Sequence, residues 1–151
     1  MSNEVDVDPA VSLYFRVDID GKDIGAFIGC DGLSMEVKVQ PWNEGGNNSF
    51  TWQLPTGEVT YSNIKLTRPI GPDSKLLAEW LAGMSGPFTR STARISALTP
   101  KNEVLCTWIL DGVIPVRWQG PSFSAESGKV AQETLEIAHH GFKYEDGNKW
   151  A

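Results

Sequence analysis

VIPVRWQGP (Val113–Pro121), SFSAESGK (Ser122–Lys129) and VAQETLEIAHHGF (Val130–Phe142) follow one another directly, and their reading decides the fold. The first is an extended run that must stop at Gly120-Pro121. The second is small and polar, as a loop or an open hairpin turn is. In the third, two periods compete: Glu133 and Glu136 are three apart, whereas Leu135 and Ile137 are two apart. The apolar pair alternates and a glycine follows at Gly141, so the spacing predicts a strand from Lys129 to His140. Gln132, Thr134 and Glu136 then share one face with Val130, and Leu135 and Ile137 take the other. A polar strand face of that length calls for water or a partner.

The chain has 151 residues, a net charge of −6, fifteen glycines, nine prolines and six tryptophans. That length predicts one domain over residues 1–151, and that composition many short strands joined by tight turns. The negative charge argues against specific nucleic-acid binding. Two cysteines far apart, Cys30 and Cys106, make no metal pattern and read as free thiols in a reducing compartment. MSNEVDVDP at the start has no basic segment followed by an apolar one, and no apolar run approaches the ~20 residues of a membrane helix. Neither a signal peptide nor a membrane anchor is expected, and synthesis in the cytoplasm is.

Outward from the opening stretch, Leu13, Phe15, Val17 and Ile19 alternate with polar residues up to a hairpin turn at Asp20-Gly21. A second strand runs from Lys22 to Ile28, and Gly29 and Gly32 bracket a bend. Leu33, Met35, Val37 and Val39 then alternate with Ser34, Glu36, Lys38 and Gln40, and Pro41 is expected to end that strand. Trp42, Asn43, Glu44, Gly45, Gly46, Asn47, Asn48 and Ser49 form a polar loop. Phe50–Leu54 reads as a strand broken by Pro55, with a turn at Thr56-Gly57. Another strand covers Glu58–Leu66, bent at Asn63. Asp73 or Ser74 caps the one convincing helix, whose apolar stripe is Leu76, Leu77, Trp80, Leu81 and Met84. Two further strands, Thr92–Leu98 and Glu103–Leu110, precede a turn at Asp111-Gly112. Residues 1–10 read as a flexible arm and 143–151 as a charged tail ending in Trp150. The fold class is mainly β: an antiparallel β-sandwich or barrel with one flanking α-helix.

Nothing in the pattern points to catalysis, a metal or a cofactor. His139 and His140 are adjacent on a strand and point to opposite faces, so they do not chelate one ion. There is no Gly-x-Ser-x-Gly, and Glu133 and Glu136 fall on opposite faces, which spoils an acid/base pair.

Six segments in order carry a resemblance. They are Tyr14–Gly21, Gly29–Val37, Glu44–Asn48, Ile64–Pro69, Pro115–Pro121 and Glu133–Gly141. Together the chain resembles the phage tail tube family and the inner tube proteins of contractile injection systems. It departs from the family pattern at Pro69, where a glycine is usual, and at Leu54-Pro55-Thr56-Gly57, which has one residue inserted. The resemblance implies a structural subunit without an active site. Hexameric rings of it stack into a hollow tube inside a sheath, between baseplate and tube-terminating proteins, and protein cargo passes down the lumen. On that view Ser34, Glu36, Lys38, Gln40, Gln132, Thr134 and Glu136 are lumen candidates. Trp42 to Asn48, Ser122, Phe123, Ser124 and Trp150 are candidates for contacts between subunits or rings. The net negative charge is expected to keep acidic cargo off the wall. A tube-initiating baseplate protein or a type VI secretion tube protein of the same fold is the alternative within the class. A monomeric β-barrel with a small apolar ligand is the alternative outside it.

Overall fold

The computed structural model describes residues 13–43, 45–46, 49–121 and 131–145. Its strands are β1 (Tyr14–Ile19), β2 (Lys22–Phe27), β3 (Gly29–Asp31), β4 (Met35–Trp42), β5 (Trp52–Tyr61), β6 (Ile64–Pro69), β7 (Ser91–Leu98), β8 (Val104–Gln119), β9 (Gln132–Ala138) and β10 (Gly141–Glu145). The helix α1 (Ser74–Ala82) lies between β6 and β7. All pairings are antiparallel, in the order β2-β1-β7-β8-β9-β6-β3, with β10 also on β8 and β4 pairing β5 alone.

β8 holds the two layers together. Its first half pairs with β7 and β10, and its second half, from Ile114, pairs with β9. The expected turn at Asp111-Gly112 is therefore a bend inside one strand of 16 residues. Gly112 takes φ +63, and a Cβ there would stand 2.6 Å from His140 Nδ1. The opposite strand bends at the same level: the His140 amide donates to Asp111 O at 2.8 Å, and the chain passes from β9 to β10 there. Gly141 thus does not close the third stretch, and the charged segment after it is strand as far as Glu145.

The layers enclose Val17, Ile19, Ile24, Phe27, Ile64, Leu66, Leu77, Ile95, Leu110, Val113, Leu135 and Ile137. Each such side chain contributes about 1.5–3 kcal/mol by leaving water. On the far side, the Ile28 amide donates to Thr67 O at 2.9 Å, drawing the end of β2 towards β6. Helix α1 begins at Asp73, whose side chain makes no capping bond, and inserts Leu77 into the core with Trp80 and Leu81 beside it.

Both prolines expected to break strands lie inside them. Pro41 pairs with Gln53, and Pro55 with Val39. Among the described residues β4 and β5 bond only to each other, so each has an edge on which a missing N–H costs no ladder bond. Thr56 and Gly57 bulge out of β5, with Gly57 at φ +90 and Thr56 Oγ1 donating to Lys38 O at 2.9 Å. Because the bulge adds two residues, the faces of β5 stay in phase across it. Gly29–Asp31 is a short strand on β6, where a bend was expected.

Gly112→Ala is expected to destabilise the domain by about 1–3 kcal/mol, because a side chain must enter the left-handed region against His140. A urea titration followed by tryptophan fluorescence measures this.

Candidate assembly surfaces

The β4–β5 hairpin projects from the body because β9 leaves the line of β6 at Ala138, so nothing described continues alongside β5. Its joint is pinned: Ser34 and Ser62 hydroxyls bond at 2.8 Å, and His139 Nε2 lies 3.0 Å from Ser62 O. Tyr61 packs on His139 and Phe142, with ring centroids 5.5 and 5.6 Å apart. The hairpin face that carries Tyr61 therefore continues the inner side of the molecule. Met35, Val37, Val39 and Val59 share that face, and they are 40–55% exposed. The other face carries Glu36, Lys38, Gln40, Glu58 and Thr60, with Lys38 Nζ 3.2 Å from Glu58 Oε2, and towards the tip Leu54, Trp42 and Trp52. At the tip Trp42 pairs with Trp52, and Phe50 meets Trp52 edge-on at 5.0 Å. A two-stranded hairpin is marginal in water even when both faces are polar. One with an uncovered apolar face needs a neighbour.

The second surface is the solvent face of the sheet β3-β6-β9-β8. Gln132, Thr134 and Glu136 lie on it, while Glu133, Leu135 and Ile137 point inward and are buried. Lys65, Arg117 and Gln119 join Thr134 and Glu136 around a shallow depression. Among the described residues, β3 at one border of this sheet bonds only to β6, and at the other the second half of β8 bonds only to β9. The structure thus brings the β9 set together with Lys65 and Arg117, and puts Glu36, Lys38 and Gln40 on one hairpin face. Ser34 lies in the joint. Asn43, Gly45 and Gly46 are at the hairpin tip, all exposed. Glu44, Asn47, Asn48, Ser122, Phe123, Ser124 and Trp150 fall outside the described residues, as do the arm at 1–10 and most of the loop before β9.

One cluster was not singled out from the sequence. Arg68 and Glu133 form a salt bridge with only 3% and 2% of each side chain exposed. Arg68 also donates to Ile24 O and Asp73 O, and its guanidinium lies 4.3 Å over the Phe27 ring. Ser74 Oγ donates to Glu133 Oε1 at 3.0 Å, and Trp118 Nε1 to Glu133 Oε2 at 3.4 Å. Gly25 makes room: a Cβ there would come within 2.6 Å of Arg68 and Asp73. Parity carried the signal, since Arg68 shares a face with Ile64 and Leu66, and Glu133 with Leu135 and Ile137.

Among the described residues no group of three His, Cys, Asp or Glu is placed to hold a metal ion. Both cysteines are free. Burial, then the Asp31 carboxylate, pushes the Cys30 thiol up to about 11. Burial also raises Cys106, against a lowering from its backbone hydrogen bond at Ala97.

A small β domain with a filled core, a projecting half-apolar hairpin and, among the described residues, free sheet borders is a subunit built for assembly. The family described as T4-like virus tail tube protein gp19 matches residues 11–143, and the chain belongs to it. No curated protein matches. Among solved structures, a chain of the anti-feeding prophage baseplate is 26% identical, with 98% of this chain and 99% of that one covered at a TM-score of 0.74. A chain of the sheath–tube complex of the PVC extracellular contractile injection system is 21% identical over 97% and 99%, with a TM-score of 0.77. Hcp1 from Flavobacterium johnsoniae is 15% identical over 89% and 96%, with a TM-score of 0.51. The last two likenesses are of fold. No described helix is long and apolar enough to cross a membrane.

Glu133→Ala is expected to cost about 3–5 kcal/mol, because it leaves Arg68 buried and uncompensated. Arg68→Met/Glu133→Leu together should recover most of that, and a double-mutant cycle by chemical denaturation reads the difference. In the native chain, Cys30 should react with iodoacetamide at pH 8 at least tenfold more slowly than in urea, because a raised pKa leaves little thiolate. Mass spectrometry of quenched samples follows the rate.

Proposed function

We propose that this chain is the repeating subunit of the inner tube of a contractile tail or injection particle. The carrying observation is the β4–β5 hairpin, whose apolar face is exposed and which continues a four-stranded sheet that, among the described residues, is open at both borders. Four antiparallel strands make β3 and the second half of β8 run in opposite directions. Copies of this sheet therefore join edge to edge and stay antiparallel, which covers borders that are otherwise sites for aggregation. Closure of such a heterologous contact gives a ring. Six copies per ring is the count the family resemblance implies, and the baseplate relative was solved with six-fold symmetry.

In this reading residues 1–151 act as one tube-protomer domain. The solvent face of the sheet lines the lumen with Gln132, Thr134 and Glu136, and the polar hairpin face adds Glu36, Lys38 and Gln40, with Ser34 at the joint. The hairpin tip around Trp42 to Asn48, the loop with Ser122, Phe123 and Ser124, and Trp150 meet neighbouring subunits or rings. Sheath, baseplate and terminator proteins are its partners, as the complexes of its structural relatives suggest. The subunit is structural and not an enzyme, made in the cytoplasm and then part of an assembled particle that is cytoplasmic, released or a virion. The match to a baseplate chain supports a second reading, a tube-initiating ring of the same fold. A monomeric ligand-binding barrel is disfavoured. The core is filled, and the cavity beside α1 lined by Ile19, Ile24, Leu76 and Trp80 holds about 110 Å³, against ~300–1,000 Å³ for ligand sites.

Purified at high concentration, the chain is expected to form rings and stacked tubes under negative stain. A monodisperse particle of 16.6 kDa would overturn the proposal, and rings that never stack would favour the initiating role. Deleting residues 42–49 should leave the far-ultraviolet spectrum of a folded β protein but abolish stacking or ring closure; unchanged assembly would remove the hairpin tip from the interface.

A further inference from the structure

The solvent face of the four-stranded sheet has a charge order that the composition does not suggest. Asp31 on β3 is the register partner of Lys65 on β6. Lys65 is the partner of Glu136 on β9, and Glu136 of Arg117 on β8. One residue from each strand thus forms a transverse row, negative, positive, negative, positive, along the full width of the sheet. Asp31, Lys65 and Arg117 are exposed and Glu136 is partly so. Lys65, Arg117 and Glu136 line the same depression, yet no salt bridge closes between them. The hairpin face beyond adds Glu36 and Glu58 against Lys38. Among the described residues this face is within one charge of neutral, while the chain carries −6. Glu4, Asp6, Asp8, Glu44, Glu126 and Asp146, outside the described residues, hold much of the acidity.

We infer that this face is charge-balanced so that it holds polypeptide passengers of neither net charge. The inference rests on the reading that the face lines the tube. Neighbouring strands are roughly 5 Å apart, so each charge has its opposite within about that distance. The field of such a row dies away within a few ångströms, inside the Debye length of about 8 Å at physiological salt. A passenger one or two water layers from the wall meets no net attraction or repulsion. The expectation that overall negative charge repels acidic cargo from this wall is replaced: the sign of a passenger's charge does not select it. Opposite charges directly across strands also favour the sheet register, which serves the same arrangement.

The test uses assembled particles of the full chain, sedimented at low ionic strength with a labelled lysine–glycine peptide or a glutamate–glycine peptide of equal length. Lys65→Glu/Arg117→Glu makes the row uniformly acidic and is expected to raise retention of the basic peptide about tenfold over the unaltered chain. Asp31→Lys/Glu136→Lys should do the same for the acidic peptide. Lys75→Glu/Lys101→Glu, which changes the net charge equally but on α1 and the β7–β8 turn, should give less than half of the first gain. Row variants that retain no more peptide than this control overturn the inference even though tubes form. Failure of the unaltered chain to form tubes overturns the tube reading instead. If a double variant does not assemble, Glu136→Gln is expected to raise acidic-peptide retention severalfold, and no rise overturns the inference.

Discussion

A strand that belongs to two sheets must turn its own backbone, and this fold depends on β8 doing so. The bend at Gly112 needs a positive φ and an empty space beside His140. On one side of it β8 builds the layer with β7 and β10, and on the other the layer with β9. Remove the bend and the long strand lies in one flat sheet, with Leu110 and Val113 no longer facing a common core. β9 and β10 copy the bend at His139–His140, and among the described residues this leaves the β4–β5 hairpin without a neighbouring strand. The uncovered arm is thus a consequence of how the core is folded.

Much of the body was legible from alternation. β1, β2, β7, the inward pair Leu135 and Ile137, and Leu77 with Trp80 and Leu81 of the helix stripe follow their periods, because burial on one face fixes which residues must be apolar; Leu76 of that stripe is 40% exposed. What misled were residues whose local preference was overruled by position. Pro41 and Pro55 read as strand ends, but a proline costs little on an edge that bonds to nothing. Asp111-Gly112 has hairpin-turn chemistry, yet serves as a bend because β10 and β7 hold the strand on both sides. Arg68 and Glu133 are charged, so residue type alone does not mark them as core, and only parity with their apolar neighbours places them inside.

The candidate assembly surfaces were half legible. Polar alternation in Glu36–Gln40 and Gln132–Glu136 marked faces that are exposed. It did not show that Asp31, Lys65 and Arg117 complete one of them, because their strands are distant in sequence and only the register brings them into line. The buried salt bridge supports that face from behind: through Glu133 it touches Trp118 on β8, and through Arg68 it reaches β2 and the start of α1.

The strand path from Trp52 to Pro69 has one more consequence. It starts at the aromatic hairpin tip and ends where the chain enters α1, so the subunit has two unlike ends joined by one continuous line of backbone. Any column made by stacking it head to tail has a direction. One terminus presents tryptophans and the other a helix and its preceding turn. Growth from either end is then chemically distinct.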